Sequence, residues 1–300
     1  MARARDRRAR LAGLARVPRR LTDGGLRLAA SNLTMRVLTA LVAAPLLLSL
    51  LYLGPSWGWA ALVAVASAIG ALELFAMTHA DDRVARATGV ALTLAVLGVI
   101  WRFSGSPGAL LALIFLLPFV AMLVTLVRLG EMRTAALRVL AMTFGPLYVG
   151  GGLGALALLR RDGGADGPSF VVLAMLLSWF SDTGAYFAGR FLGRRKLYEA
   201  VSPKKTVEGA LGGLLFAVIG ALLAHFWFLR SLPLVDALAL AIVAGGLGQA
   251  GDLGESLFKR SFGIKDSGGI VPGHGGILDR VDALLVTGTI TYLYVLWSRP

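Results

Sequence analysis

Apolar residues run through most of this chain in long blocks separated by short polar joints. A helix that crosses a bilayer needs about 20 mostly apolar residues at ~1.5 Å of rise each. Nine blocks approach that length, at 34–53, 57–78, 86–103, 108–128, 135–159, 168–189, 207–229, 233–257 and 277–297. The third is short. The sixth, eighth and ninth are the least pure, and their polar residues cluster. The pattern predicts an all-α polytopic integral membrane protein with about nine transmembrane helices and no tandem repeat.

Composition agrees. Hydrophobic residues make up 57% of the chain and charged residues 16%. Soluble domains average about 45–50% apolar and about 25% charged, so a soluble fold is excluded. The net charge of +13 would suggest nucleic acid in a soluble protein. In a polytopic one it reports cytoplasmic loops and anionic head groups, so no nucleic-acid partner is expected. The chain has no cysteine, which excludes disulfides and thiolate metal sites. The Arg-rich segment 1–32 reads as a cytoplasmic arm lying on anionic lipid in preference to a transit peptide.

Lys and Arg also set the orientation. With nine spans and the N-terminus in the cytoplasm, 25 of the 30 basic residues fall inside and five outside. An eight-span count would break that agreement. The polar loops 190–206 and 258–276 then both face the cytoplasm.

Those loops carry the candidate chemistry. Asp252, Glu255 and Ser256 are spaced to share one face at the end of the eighth block. Asp279 and Asp282 open the ninth. Adjacent antiparallel helices bring Asp252 and Asp279 to similar depth, a plausible pair for Mg²⁺, which takes few protein ligands. Lys259, Arg260, Lys265 and Arg280 are then available for phosphate oxygens. The joint between them holds Lys265, Asp266, five glycines and His274. Glycines let backbone N–H groups line an anion, although they are too common here to be specific. In the sixth block Ser178, Ser181, Asp182 and Tyr186 share a face, and Asp182 is deep enough to need a partner or a wet cavity. Ser202 reads as a helix N-cap with Pro203 at the first helical position, and Lys204, Lys205 and the free N–H groups there would suit phosphate. Each feature also has a plainer reading: solvated helix ends, ordinary capping or positive-inside lysines. Glu73, inside the second block, either neutralises a cation or pairs within the bundle. His79, His225 and Asp236 read as interface residues.

Ser256–Asp282 resembles, position by position, the signature of the phosphatidate cytidylyltransferase (CDP-diacylglycerol synthase) family: S-x-apolar-K-R, four residues, K-D, then P-x-H-G-G-apolar-x-D-R-apolar-D. S-P-K-K-T-V-E-G at 202–209 and S-D-T-G-A-Y at 181–186 are similar to that family's segments, in the same order. The resemblance implies CTP and phosphatidic acid as substrates, CDP-diacylglycerol and pyrophosphate as products, and a polytopic helical fold in the bilayer. It implies Mg²⁺ on Asp252 and Asp279, with K⁺ as an optional second cation. It further implies catalytic roles for Lys265, Asp266, His274 and Arg280, and substrate contacts for Ser202, Lys204, Lys205, Ser256, Lys259, Arg260, Asp182 and Asp282. The resulting organisation is the arm at 1–32, N-terminal membrane helices over 33–165 and a catalytic membrane region over 166–300. The expected location is a bacterial inner membrane with the site facing the cytoplasm, and a homodimer is an option. An ion-coupled transporter and a CTP-dependent polyprenol or lipid kinase are the alternatives; polarity gathered at one face, without a repeat, disfavours the transporter.

Overall fold

The computed structural model describes residues 41–268 and 275–298. The basic arm, residues 34–40 of the first apolar block and His274 lie outside them. Residues 50–300 form one compact unit, and everything below concerns that unit except the first helix, which begins in residues 1–49.

Among the described residues nine apolar helices follow one another. They are α1 (Leu41–Leu53), α2 (Ser56–Thr78), α3 (Arg83–Phe103), α4 (Pro107–Val127), α5 (Met132–Asp162), α6 (Gly167–Leu192), α7 (Val207–Phe228), α8 (Leu234–Ser261) and α9 (Leu278–Ser298). All but α1 are long and apolar enough to cross a membrane. The chain is therefore a multi-pass membrane protein, with helix limits within a few residues of the apolar blocks. Pro146 lies inside α5, where the missing N–H is accommodated by a wider π-helical turn over Pro146–Gly151.

The packing is that of a protein solvated by lipid. Phe115, Phe119, Leu123 and Leu126 of α4 point outward and are exposed. The interior mixes large side chains such as Phe75, Phe170 and Leu173 with many alanines and glycines, and the small residues allow the tight backbone approach that drives association in lipid. A close approach joins α6 to α7. A Cβ on Gly184 would lie 2.5 Å from the carbonyl oxygen of Gly212, and one on Gly212 would strike Ala188. This contact fixes Asp182 of α6 beside the start of α7.

The joint between α6 and α7 departs from the expectation. Lys196–Tyr198 (β1) and Ser202–Thr206 (β2) form an antiparallel hairpin. Ser202 is consequently not an N-cap. The cap of α7 is Thr206, whose Oγ1 accepts the Gly209 N–H at 3.1 Å. Pro203 suits an extended strand as well as a first helical turn, since its fixed φ belongs to both. Thr206 wins the cap through an extended backbone and a hydroxyl within reach of the helix's open N–H groups. The Glu208 carboxylate draws the hairpin back by accepting the Arg194 and Arg195 N–H groups.

Candidate active site

The site is built where α6, α7, α8, α9 and the hairpin meet. A cavity of 430 Å³ is lined by Asp182, Lys204, Lys205, Gln249 and Asp252, with Tyr186, Arg190 and Leu197 among its other walls. Asp182 is exposed and lines this cavity. Asp252 Oδ2 lies 2.7 Å from Lys205 Nζ, and the two side chains are about equally shielded. Asp182 is within electrostatic range of Asp252, Lys205 and Arg280. Gln249 ties the wall together, donating from Nε2 to Ser181 Oγ and to the Ala210 carbonyl, both at 3.1 Å.

A second group continues from the first along α8 and α9. Asp282, on α9, is within electrostatic range of Asp252 and Glu255. Lys259 Nζ lies 3.2 Å from Glu255 Oε2 and 2.5 Å from Asp279 Oδ1. Glu255 Oε1 is buried without a hydrogen-bond partner. Ion pairs thus join Lys205 to Asp252, and Lys259 to both Glu255 and Asp279. Spacing groups Asp252 with Asp279; the structure gives each its own ammonium and adds Glu255 to the Lys259 pair.

A family model described as the cytidylyltransferase family matches residues 34–298. The chain belongs to the cytidylyltransferase family. It is similar to the phosphatidate cytidylyltransferase of Staphylococcus haemolyticus (strain JCSC1435), 46% identical over 121 residues, which are 40% of this chain and 46% of the relative. It is also similar to those of Staphylococcus epidermidis (strain ATCC 35984 / DSM 28319 / BCRC 17069 / CCUG 31568 / BM 3577 / RP62A) at 45% and Staphylococcus aureus (strain COL) at 43%, with the same coverage. The matched stretch spans about half the length of these relatives.

Other expected residues of this cytidylyltransferase-family chain sit at the margin. Arg260, Lys265, Asp266 and Arg280 are exposed. Arg260 donates to the Ile264 carbonyl, and Arg280 lies near Asp182. Ser256 is half-buried on α8. Ser202, half-buried opposite Tyr198 in the hairpin, does not line the cavity. A glycine N–H expected to line an anion is otherwise engaged: Gly276 N–H donates to Asp279 Oδ2 at 3.0 Å.

Sequence reasoning missed Gln249 and Thr206, and it left Glu73 without a role. A polar residue one turn before Asp252 was the available sign for Gln249. Glu73 is buried and accepts hydrogen bonds from Ser267, Ile277 and Leu278, and only the cost of a carboxylate within a span pointed to it.

The donor set suits a hard cation. Among the described residues no three His, Cys, Asp or Glu side chains converge closely enough to cage a metal. That is compatible with Mg²⁺, which binds through one or two carboxylates and takes its other oxygens from water and phosphate. Asp252 and Asp279 are each already engaged with a cation, Lys205 or Lys259.

Proposed function

We propose that this chain transfers the cytidylyl group of CTP to phosphatidic acid, forming CDP-diacylglycerol and pyrophosphate. The observation that carries this reading is the 430 Å³ cavity, which sets Lys204 and Lys205 against Asp182 and Asp252 beside an apolar and aromatic wall of Leu197 and Tyr186. A triphosphate and a lipid phosphate need such a mixture of cations, metal-binding carboxylates and apolar surface. Membership of the family and the names of the relatives support it further. The excess of Lys and Arg in loops 190–206 and 258–276 supports a site facing the cytoplasm, in a bacterial inner membrane.

The lipid's phosphate oxygen attacks the α-phosphorus of CTP. A new P–O bond forms there, the bond to the β-phosphate breaks, and its electron pair leaves with pyrophosphate. A phosphate monoester has a second pKa near 6, roughly, so the nucleophile is already an anion near neutral pH and no general base is assigned. The protein's work is positioning and charge neutralisation. Lys204 and Lys205 hold one phosphate group in the cavity. Lys259 and Arg280, with Arg260, Lys265 and His274 from the adjoining segment, neutralise the triphosphate. Asp266, Ser202 and Ser256 orient these groups. Mg²⁺ would be held by Asp252 and Asp279, with Asp282 adjoining and K⁺ as a second cation; when bound it supplies charge stabilisation for the phosphate oxygens.

The test supplies purified protein with phosphatidic acid, Mg²⁺ and CTP labelled at either the α- or the γ-phosphate. Label should enter the lipid from the α-position alone. Transfer from the γ-position would establish a kinase instead, and ion flux in liposomes without CTP would establish a transporter.

A further inference from the structure

Glu73 is the sole charged residue of α2, and it is 4% exposed. A carboxylate buried within a span is costly unless its oxygens are satisfied. Its partners lie about 200 residues away. Oε2 accepts the Ser267 hydroxyl at 3.1 Å and the Leu278 N–H at 2.9 Å, while Oε1 accepts the Ile277 N–H at 3.0 Å. Glu73 thus does from another helix what a capping side chain does locally, satisfying N–H groups at the start of α9, where the helix dipole favours negative charge.

The two ends of the polar joint are closed by the same arrangement. Asp279 Oδ2 accepts the Ser267 N–H at 2.9 Å and the Gly276 N–H at 3.0 Å. Glu73 and Asp279 therefore each bind both the outgoing end, at Ser267, and the returning end, at 276–278. Asp279 also holds Lys259, so a shift of the returning end moves a proposed metal ligand and a proposed phosphate ligand together. The glycines at both ends make room for the clamp. The three atoms nearest a Cβ on Gly268 would all belong to Glu73, the first at 2.7 Å, and a Cβ on Gly276 would strike Ser267 and Glu73.

We infer that Glu73 is a positioning residue: it ties Ser267 to the start of α9 at 277–278, and so sets Asp279 and Lys259 in the geometry the reaction requires. The inference rests on the cytidylyl-transfer reading above. Nothing in the cavity itself calls for a residue from α2, whereas the clamp does.

The test compares full-length parent, Glu73→Gln, Glu73→Asp, Gly268→Ala and the double variant Gly268→Ala with Glu73→Asp, each purified in detergent. Gln keeps the shape but turns one acceptor into a donor facing donors. Glu73→Gln should lower kcat on the order of a hundredfold, as small displacements of reacting groups do. KM for CTP should change by less than about threefold, because Lys204 and Lys205 in the cavity do not touch the clamp. Amide hydrogen exchange should quicken over 264–280 and stay unchanged in α4 and α6. Glu73→Asp should recover part of kcat. The shorter carboxylate should also make room for the methyl group that Gly268→Ala adds, so the two substitutions should be non-additive. A kcat within about twofold of the parent for Glu73→Gln overturns the inference. So does exchange that quickens equally in every helix with an additive cycle, which would make Glu73 a structural tie only. If the parent transfers no label from CTP, the function reading fails; hydrogen exchange still reports the clamp, and unchanged exchange at 264–280 overturns it.

Discussion

Replacing Lys259 with methionine tests the charge ladder most severely. The two side chains have similar length, so the substitution removes an ammonium and little packing. Lys259 is 10% exposed, and its partners Asp279 and Glu255 are 14% and 2% exposed. It is therefore a buried cation shared by two carboxylates. Removing one partner of a buried pair leaves uncompensated charge and costs about 3–5 kcal/mol. The loss falls chiefly on Glu255, which already has one oxygen without a hydrogen-bond partner. In thermal unfolding, followed as loss of the monodisperse species in detergent, the midpoint should fall on the order of 10 °C. Adding Glu255→Gln should recover most of the loss, and adding Asp279→Asn should recover less, since Asp279 keeps two backbone donors. A single variant within about 2 °C of the parent would refute the reasoning, because a solvated pair is worth at most ~1 kcal/mol.

Three further predictions address other parts of the molecule. Lys204→Ala together with Lys205→Ala should raise KM for one substrate at least tenfold, roughly the loss of one charge-assisted contact; unchanged kinetics would reduce the hairpin lysines to topology signals. Thr206→Ala should cost about 1 kcal/mol through the lost α7 cap, whereas Ser202→Ala should leave the unfolding midpoint unchanged. His79, buried against Thr78 and near Arg138 and Asp82, has its pKa lowered to about 4 by burial first and Arg138 next. The folded protein thus resists a proton that the unfolded chain accepts below about 6.5. Stability should fall as pH drops from about 6.5 toward 4, and His79→Asn should flatten that slope in unfolding measured across this window.

The helices were legible because bilayer thickness imposes a length that few other constraints imitate. Predicted spans at 57–78 and 108–128 appear as Ser56–Thr78 and Pro107–Val127. The hairpin was not legible. Ser-Pro-Lys-Lys-Thr satisfies the first turn of a helix and an extended strand equally well, and pairing with Lys196–Tyr198 decides between them. Asp182, Lys204, Lys205 and Asp252, which line one cavity, were legible as candidates because carboxylates and lysines beside apolar blocks are costly unless used. Their pairing was less so, since spacing along α8 and α9 does not say which lysine each aspartate meets.

Glu73 marks a deeper limit. Its partners include main-chain N–H groups, which almost every residue possesses, so no residue type at 277 or 278 announces them. The same fact changes how the glycines around His274 are understood. As sequence, they suggest a loop whose amides cradle phosphate. In the structure the described amides at 267, 276, 277 and 278 are all directed to the carboxylates of Asp279 and Glu73. At these positions an incoming phosphate would have to compete with carboxylates already seated on the N–H groups. Under the proposed function, phosphate recognition by the described residues at this end of α9 would fall to side-chain cations. Gly268 and Gly276 are small because Glu73 must come close. The part of the signature that reads as most chemical is, at those two positions, a seat for a residue of α2.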